Sequence, residues 1–287
     1  MAHQANPVAP HSMRYYDRSV MFLAVDVGNT NVTFGLWDKS TLLHTFRASS
    51  DRTRTADEYA VLIQQMLTLR KVEDGRIEGA IIASVVPQLT ESLVNAIRMA
   101  YAREPLIVGT GLRTGMPILC ENPREIGADR IVNSVAAFER LHQAVIVVDF
   151  GTATTFDCVS KAGEYLGGAI VPGITVSLDG LFTRAARLSH VELVDPPRAL
   201  GRNTAQALQS GIVFGYASLV DGLVRRLRQE MGGEIRTLAT GGLATLVTKH
   251  AETIEAVDDN LTLQGLQILY SRNCQSSSEK PQRQPNT

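Results

Sequence analysis

Two short segments repeat one arrangement of chemistry-bearing residues, each after an apolar run. The first is Asp26-Val27-Gly28-Asn29-Thr30-Asn31-Val32-Thr33, which follows Met-Phe-Leu-Ala-Val. An aspartate leaving a buried strand can hold Mg²⁺ directly or through water. Gly28 permits a tight turn and a close approach of backbone to a ligand. The consecutive amides of Asn29, Thr30 and Asn31 can form a nest for phosphate. The second segment, Asp149-Phe150-Gly151-Thr152-Ala153-Thr154-Thr155, follows Ala-Val-Ile-Val-Val and keeps the order of strand, acid, glycine and hydroxyls. Either could be a plain turn whose Asp or Asn satisfies backbone groups. Two of them in one chain suit a phosphate cleft that draws one from each half.

Gly127-Ala128-Asp129-Arg130 stands at the head of an expected helix. A carboxylate in a first helical turn is stabilised whatever its role. Asp129 could also accept a proton from a substrate hydroxyl, and Arg130 could pair with an anionic part of that substrate. Thr240-Gly241-Gly242 follows a strand, where a flat ring could lie on the backbone or the chain could simply turn. Thr204, in Gly201-Arg202-Asn203-Thr204, is expected to cap a helix and could also touch substrate. No G-x-x-x-x-G-K-[ST], G-x-G-x-x-G, His-Glu-x-x-His or Gly-x-Ser-x-Gly occurs. Any nucleotide is therefore held by another device. His44, His142, His190 and His250 are scattered and indicate no metal cluster.

Alternating strands and helices must position these groups. Strands are expected at 21–27, 32–37 and 42–48, joined by tight turns, and again at 79–86 and 106–108. Tyr59, Leu62, Ile63, Met66 and Leu69 predict a helix over 56–70, and Pro87 opens the next. A helix over 128–141 leads to a second set: strands at 144–150, 153–160, 165–171 and 235–240, with helices at 205–231, after Gly242, and at 261–270. The long helix is expected to break near Gly211 or Gly215. The class is α/β. The order of acid turn, meander and helices recurs at Asp26 and Asp149, which predicts two similar halves across a cleft, divided near residues 141–144.

The 287 residues carry a net charge of -1, so no basic field attracts nucleic acid or an anionic membrane. Three cysteines without a Cys-x-x-Cys argue against a disulfide framework and for a reducing cytosol. No apolar run of spanning length is expected. Residues 1–20 read as a disordered extension, with Met13 or Met21 as alternative starts, and 273–287 as a disordered tail. Trp37 is expected in the core.

Taken together, Asp26–Thr33, Gly127–Arg130, Asp149–Thr155 and the glycine-rich run Gly167–Gly173 resemble type III pantothenate kinases, over about Met21 to Tyr270. The resemblance implies two ribonuclease-H-like lobes, 21–142 and 143–272, with ATP between them, as in acetate kinase, sugar kinases, Hsp70 and actin. It implies ATP-dependent phosphorylation of pantothenate to 4'-phosphopantothenate, the first step of coenzyme A synthesis. By position, Asp26, Val27, Gly28, Asn29, Thr30, Asn31, Val32 and Thr33 match the ATP loop, and Thr152 a further ATP contact. Gly127, Ala128, Asp129 and Arg130 match the pantothenate segment, with Asp129 as proton acceptor. Thr204 matches a substrate contact, and Asp149 a ligand for K⁺ or NH₄⁺. ATP would act with Mg²⁺, and the protein would be a cytoplasmic homodimer whose substrate site is completed at the interface. One departure is visible: Cys120 stands where several members carry a tyrosine that contacts substrate.

Overall fold

The apolar run Met21–Val27 forms strand β1, buried along almost its whole length. It pairs antiparallel with β2 (Asn31–Asp38), which pairs antiparallel with β3 (Thr41–Ser49). Helix α1 (Ala56–Leu69) starts at Thr55, whose hydroxyl accepts from the Glu58 amide while the Glu58 carboxylate accepts from the Thr55 amide. Strand β4 (Ile77–Ser84) then runs parallel to β1, α2 (Pro87–Tyr101) follows with Pro87 in its first turn, and the short β5 (Leu106–Ile107) closes the sheet. The computed structural model describes residues 21–72, 77–185 and 190–274. The expected N-terminal extension and most of the expected C-terminal tail lie outside these residues.

Helix α3 (Ala128–Leu141) leads into the second half. Strands β6 (Val145–Phe150), β7 (Ala153–Val159) and β8 (Tyr165–Pro172) form an antiparallel meander. Helices α4 (Ile174–Arg184) and α5 (Thr204–Met231) precede β9 (Arg236–Thr240), which runs parallel to β6. After α6 (Ala244–Thr248), β10 (Ala256–Val257) joins β9, and α7 (Leu261–Cys274) ends the described chain. The first sheet has the order β3-β2-β1-β4-β5 and the second β8-β7-β6-β9-β10. The two orders coincide position for position, so the recurrence of the acid turns belongs to a repeated unit of topology.

Each half lends its last helix to the other. Helix α3 packs on β6 and β7 of the second sheet as well as on β4 of its own, α7 packs on β1, β2 and β4 of the first, and the two helices lie against each other. The shared core between the sheets joins Phe22, Trp37, Val132, Val147, Val159, Leu263 and Leu266. Trp37 is buried as expected, and Phe22 stacks on Tyr270 with ring centroids 4.0 Å apart. Separate clusters fill the outer faces, under α1 and α2 on one side and α5 on the other.

Four expectations need correction. Helix α5 is continuous through Gly211 and Gly215. Its cap is Asn203, whose side chain accepts from the Gln206 amide at 2.9 Å, and Thr204 is its first helical residue. Helix α7 extends to Cys274, two residues into the expected tail. Helix α5 is also long and apolar enough, by length and composition, to cross a membrane. Its residues Tyr216, Ala217, Val220 and Val224 are buried in the second outer core.

Candidate active site

Both acid turns leave the carboxyl ends of central strands, the position where open α/β sheets bind ligands. Asp26 pairs across β1–β2 with Thr33, and Asp149 across β6–β7 with Thr155. Gly28 donates its amide to the Asn31 carbonyl at 3.0 Å, and its own carbonyl accepts from Ser50 Oγ at 2.6 Å. The second turn is tied by Gly151 N to Ala153 O and by Gly173 N to Thr152 O, both 3.1 Å. The turns meet: the hydroxyls of Thr30 and Thr152 are 3.3 Å apart across 122 residues of chain. Asn29, Thr30, Asn31 and Thr152 are exposed at this mouth. Val27 and Val32 are not, since both side chains are in the outer core. Those two side chains therefore serve packing rather than the mouth.

The amino end of α3 enters the same space. Asp129 lies in its first turn and accepts from the Arg130 amide at 2.8 Å. Gly127 precedes it because a Cβ there would collide with the Asp129 carboxylate. Burial raises the proton affinity of Asp129 above the ordinary carboxylate range, opposed by the Arg130 amide and guanidinium. Asp26 is pushed up to about 8, by burial first and then by Asp129 and Asp149, with Arg47 pulling the other way. Asp149 is pushed up to about 7, by burial and then by Asp129 and Asp157. The influence of Asp129 on both Asp26 and Asp149 brings the three into one electrostatic group. An acidic group of this kind sits naturally against cations and against substrate groups that carry protons.

Two polar residues absent from the sequence reading complete the arrangement. Asn133 is 1% exposed and donates to Asp149 at 3.0 Å, while Thr262 of α7 donates to the Asn133 carbonyl oxygen at 2.7 Å. Its signal was available, because Asn133 lies one helical turn after Asp129 on the same face. Asp157 is fully buried on β7 and receives the Arg130 guanidinium at 2.7 Å. Gly241, at φ +97°, brings its backbone against Phe150 and the Asp149 carboxylate, so the Thr240-Gly241-Gly242 turn packs on the site. Cys120 is half-buried, with Sγ beside Gly167 and within the field of Arg130 and Asp157. Thr204 is exposed at the start of α5, and no hydrogen bond joins its side chain to the acid turns.

The doubled sheet gives the chain the α/β fold seen in sugar kinases and actin-like ATPases. A protein from Sinorhizobium meliloti assigned as a 2-dehydro-3-deoxygalactonokinase superposes with a TM-score of 0.57, at 14% identity over 88% of this chain and 99% of its own. Likeness at that identity speaks for the fold. Sequence narrows the class further. The profile of type III pantothenate kinases matches residues 22–226. The type III pantothenate kinases of Syntrophotalea carbinolica and Myxococcus xanthus are 50% and 48% identical over 253 residues, covering 88% of this chain and 99% of theirs. The chain belongs to the type III pantothenate kinase family.

Proposed function

We propose that this protein transfers the γ-phosphoryl group of ATP to the primary hydroxyl of pantothenate, giving 4'-phosphopantothenate for coenzyme A synthesis, with Asp129 as proton acceptor. Family membership supports the reaction. The observation that carries the role of Asp129 is its place at the amino end of α3, electrostatically coupled to both Asp26 and Asp149.

Phosphoryl transfer leaves a protein mostly positioning and charge stabilisation to perform. The amides of Asn29, Thr30 and Asn31 and the Thr30 and Thr152 hydroxyls are the donors for ATP phosphates. Asp129 orients the substrate hydroxyl and takes its proton as the bond to phosphorus forms. Its raised proton affinity moves it toward the range where a general base works. Arg130 holds the pantothenate carboxylate, and Thr204 contributes from the head of α5.

The donor set also fits the expected cations. Among the described residues, no three His, Cys, Asp or Glu side chains are grouped to hold a metal ion by themselves. Mg²⁺ characteristically binds through one or two carboxylates plus substrate phosphates and waters, and Asp26 fits that part. Asp149, oriented by Asn133, fits a K⁺ or NH₄⁺ ion. Bound there, these ions would supply neutralisation of phosphate charge. The protein is further read as a cytoplasmic homodimer.

The test is ADP release with ATP, Mg²⁺ and pantothenate, with and without K⁺ or NH₄⁺. Turnover should require pantothenate and fall without the monovalent ion. Asp129→Asn should lower kcat by about 10²- to 10⁴-fold while ATP still binds. Near-native turnover in that variant would remove the base assignment. An inactive wild-type enzyme would remove the substrate.

A further inference from the structure

Arg130 is anchored from behind. Its Nε donates to Asp157 Oδ1 at 2.7 Å, and its guanidinium carbon lies 6.0 Å from the centre of the Tyr165 ring. Asp157 is itself fixed on both oxygens: the Tyr165 hydroxyl donates to Oδ1 at 2.7 Å, and Thr155 Oγ1 to Oδ2 at 3.2 Å. Asp157 and Tyr165 are fully buried, whereas the Arg130 side chain keeps 15% exposure. The ion pair thus uses one edge of the guanidinium. Among the described residues the two Nη groups make no hydrogen bond. A guanidinium presents a planar fork that matches a carboxylate with two parallel bonds.

This geometry is more than a buried ion pair needs. Such a pair rarely adds net stability over apolar packing, and here it joins the residue next to Asp129 to the strand opposite. Thr155 is also the cross-strand partner of Asp149. The hydrogen-bonded group therefore ties the orientation of Arg130 to the same sheet face that carries Asp149.

We propose that Asp157 is a positioning residue which, held by Tyr165 and Thr155, sets the Arg130 fork to recognise the carboxylate of the phosphoryl acceptor. It selects the anionic acceptor over a neutral one bearing the same hydroxyl. The inference rests on the pantothenate reading above and names the specificity device of that site. Asp157 acts through Arg130 and does not touch the reacting atoms.

The experiment compares pantothenate with a neutral N-alkyl amide of pantothenate in wild type, Arg130→Lys, Asp157→Asn and Tyr165→Phe. Asp157→Asn should raise KM for pantothenate about tenfold or more. In the same variant, the ratio of kcat/KM for pantothenate to kcat/KM for the amide should fall about tenfold. Arg130→Lys should shrink the preference for pantothenate in the same way. A purely structural role would lower both acceptors equally, and that result, or an unchanged KM for pantothenate, overturns the proposal. Should Asp157→Asn fail to fold, Tyr165→Phe decides. It keeps the ring beneath Arg130 and removes one bond to Asp157, so preference should fall about threefold or more, and unchanged preference overturns the proposal. If Arg130→Lys alone keeps full preference, the carboxylate is read elsewhere and the proposal falls. Wild-type enzyme turning over neither acceptor would remove the substrate reading, and this inference with it.

Discussion

Asp26 and Asp149 keep their protons up to about pH 8 and 7, because burial and neighbouring carboxylates disfavour their charge. Folding therefore raises both proton affinities above their unfolded values near 3.8. Their contribution to stability is whole below about pH 4 and is lost as pH rises through 7 and 8. Without nucleotide or divalent ion, the melting temperature should fall between pH 5 and 9. Asp26→Asn should flatten that fall and raise Tm at pH 8.5 by at least about 2 °C. Identical pH slopes in the two proteins would exclude the coupling. Asp26 and Asp149 were legible in the sequence because each is an acid at the end of an apolar run, before a glycine. Asp157 was not. It sits inside the alternating strand Thr-Phe-Asp-Cys, where nothing local shows which way an acid points or that Arg130, 27 residues away, will meet it.

Helices α3 and α7 cross where Gly265 lies on the Val132 backbone. A Cβ at Gly265 would strike the Val132 carbonyl and its side chain, so Gly265→Ala should force the helices apart and destabilise by about 1–3 kcal/mol. Gly222, in the interior of α5, faces open space. Gly222→Ala should instead stabilise by roughly 0.5–1 kcal/mol. Urea midpoints of the two variants moving in opposite directions would support the crossing, and a shared direction would refute it. The strands of both meanders were readable from apolar runs broken by turn residues. Helix α4 and strand β10 were not. The first opens on Gly173 without a side-chain cap, and the second has two residues, too few for any period to show. The cap of α5 was displaced by one residue because Asn203 and Thr204 are both good caps, and only the backbone shows that Asn203 stays extended.

At the scale of the molecule, chain order and spatial order differ. By chain order we propose lobes at 21–142 and 143–272, which touch at the cleft mouth through Thr30 and Thr152. In space, α7 completes the core on the first sheet, where Leu261, Leu263, Leu266 and Leu269 are buried. Ending the chain at residue 260 should therefore prevent folding. Each buried leucine is worth about 2–5 kcal/mol, so the four together are comparable to a typical domain's whole net stability of about 5–15 kcal/mol. A truncated protein that melts cooperatively near the wild-type temperature would refute this.

The exchange of helices also sets a timetable for synthesis. Phe22 leaves the ribosome early, but Leu263, which shares its core cluster, follows roughly 240 residues later. At about 5–20 residues per second, the inner face of the first sheet waits on the order of tens of seconds for its cover. The second sheet, whose strands all lie between Val145 and Val257, receives α3 before its own first strand is made. The second sheet thus meets its covering helices as soon as its strands are made, and the nascent first half is the part a chaperone would hold.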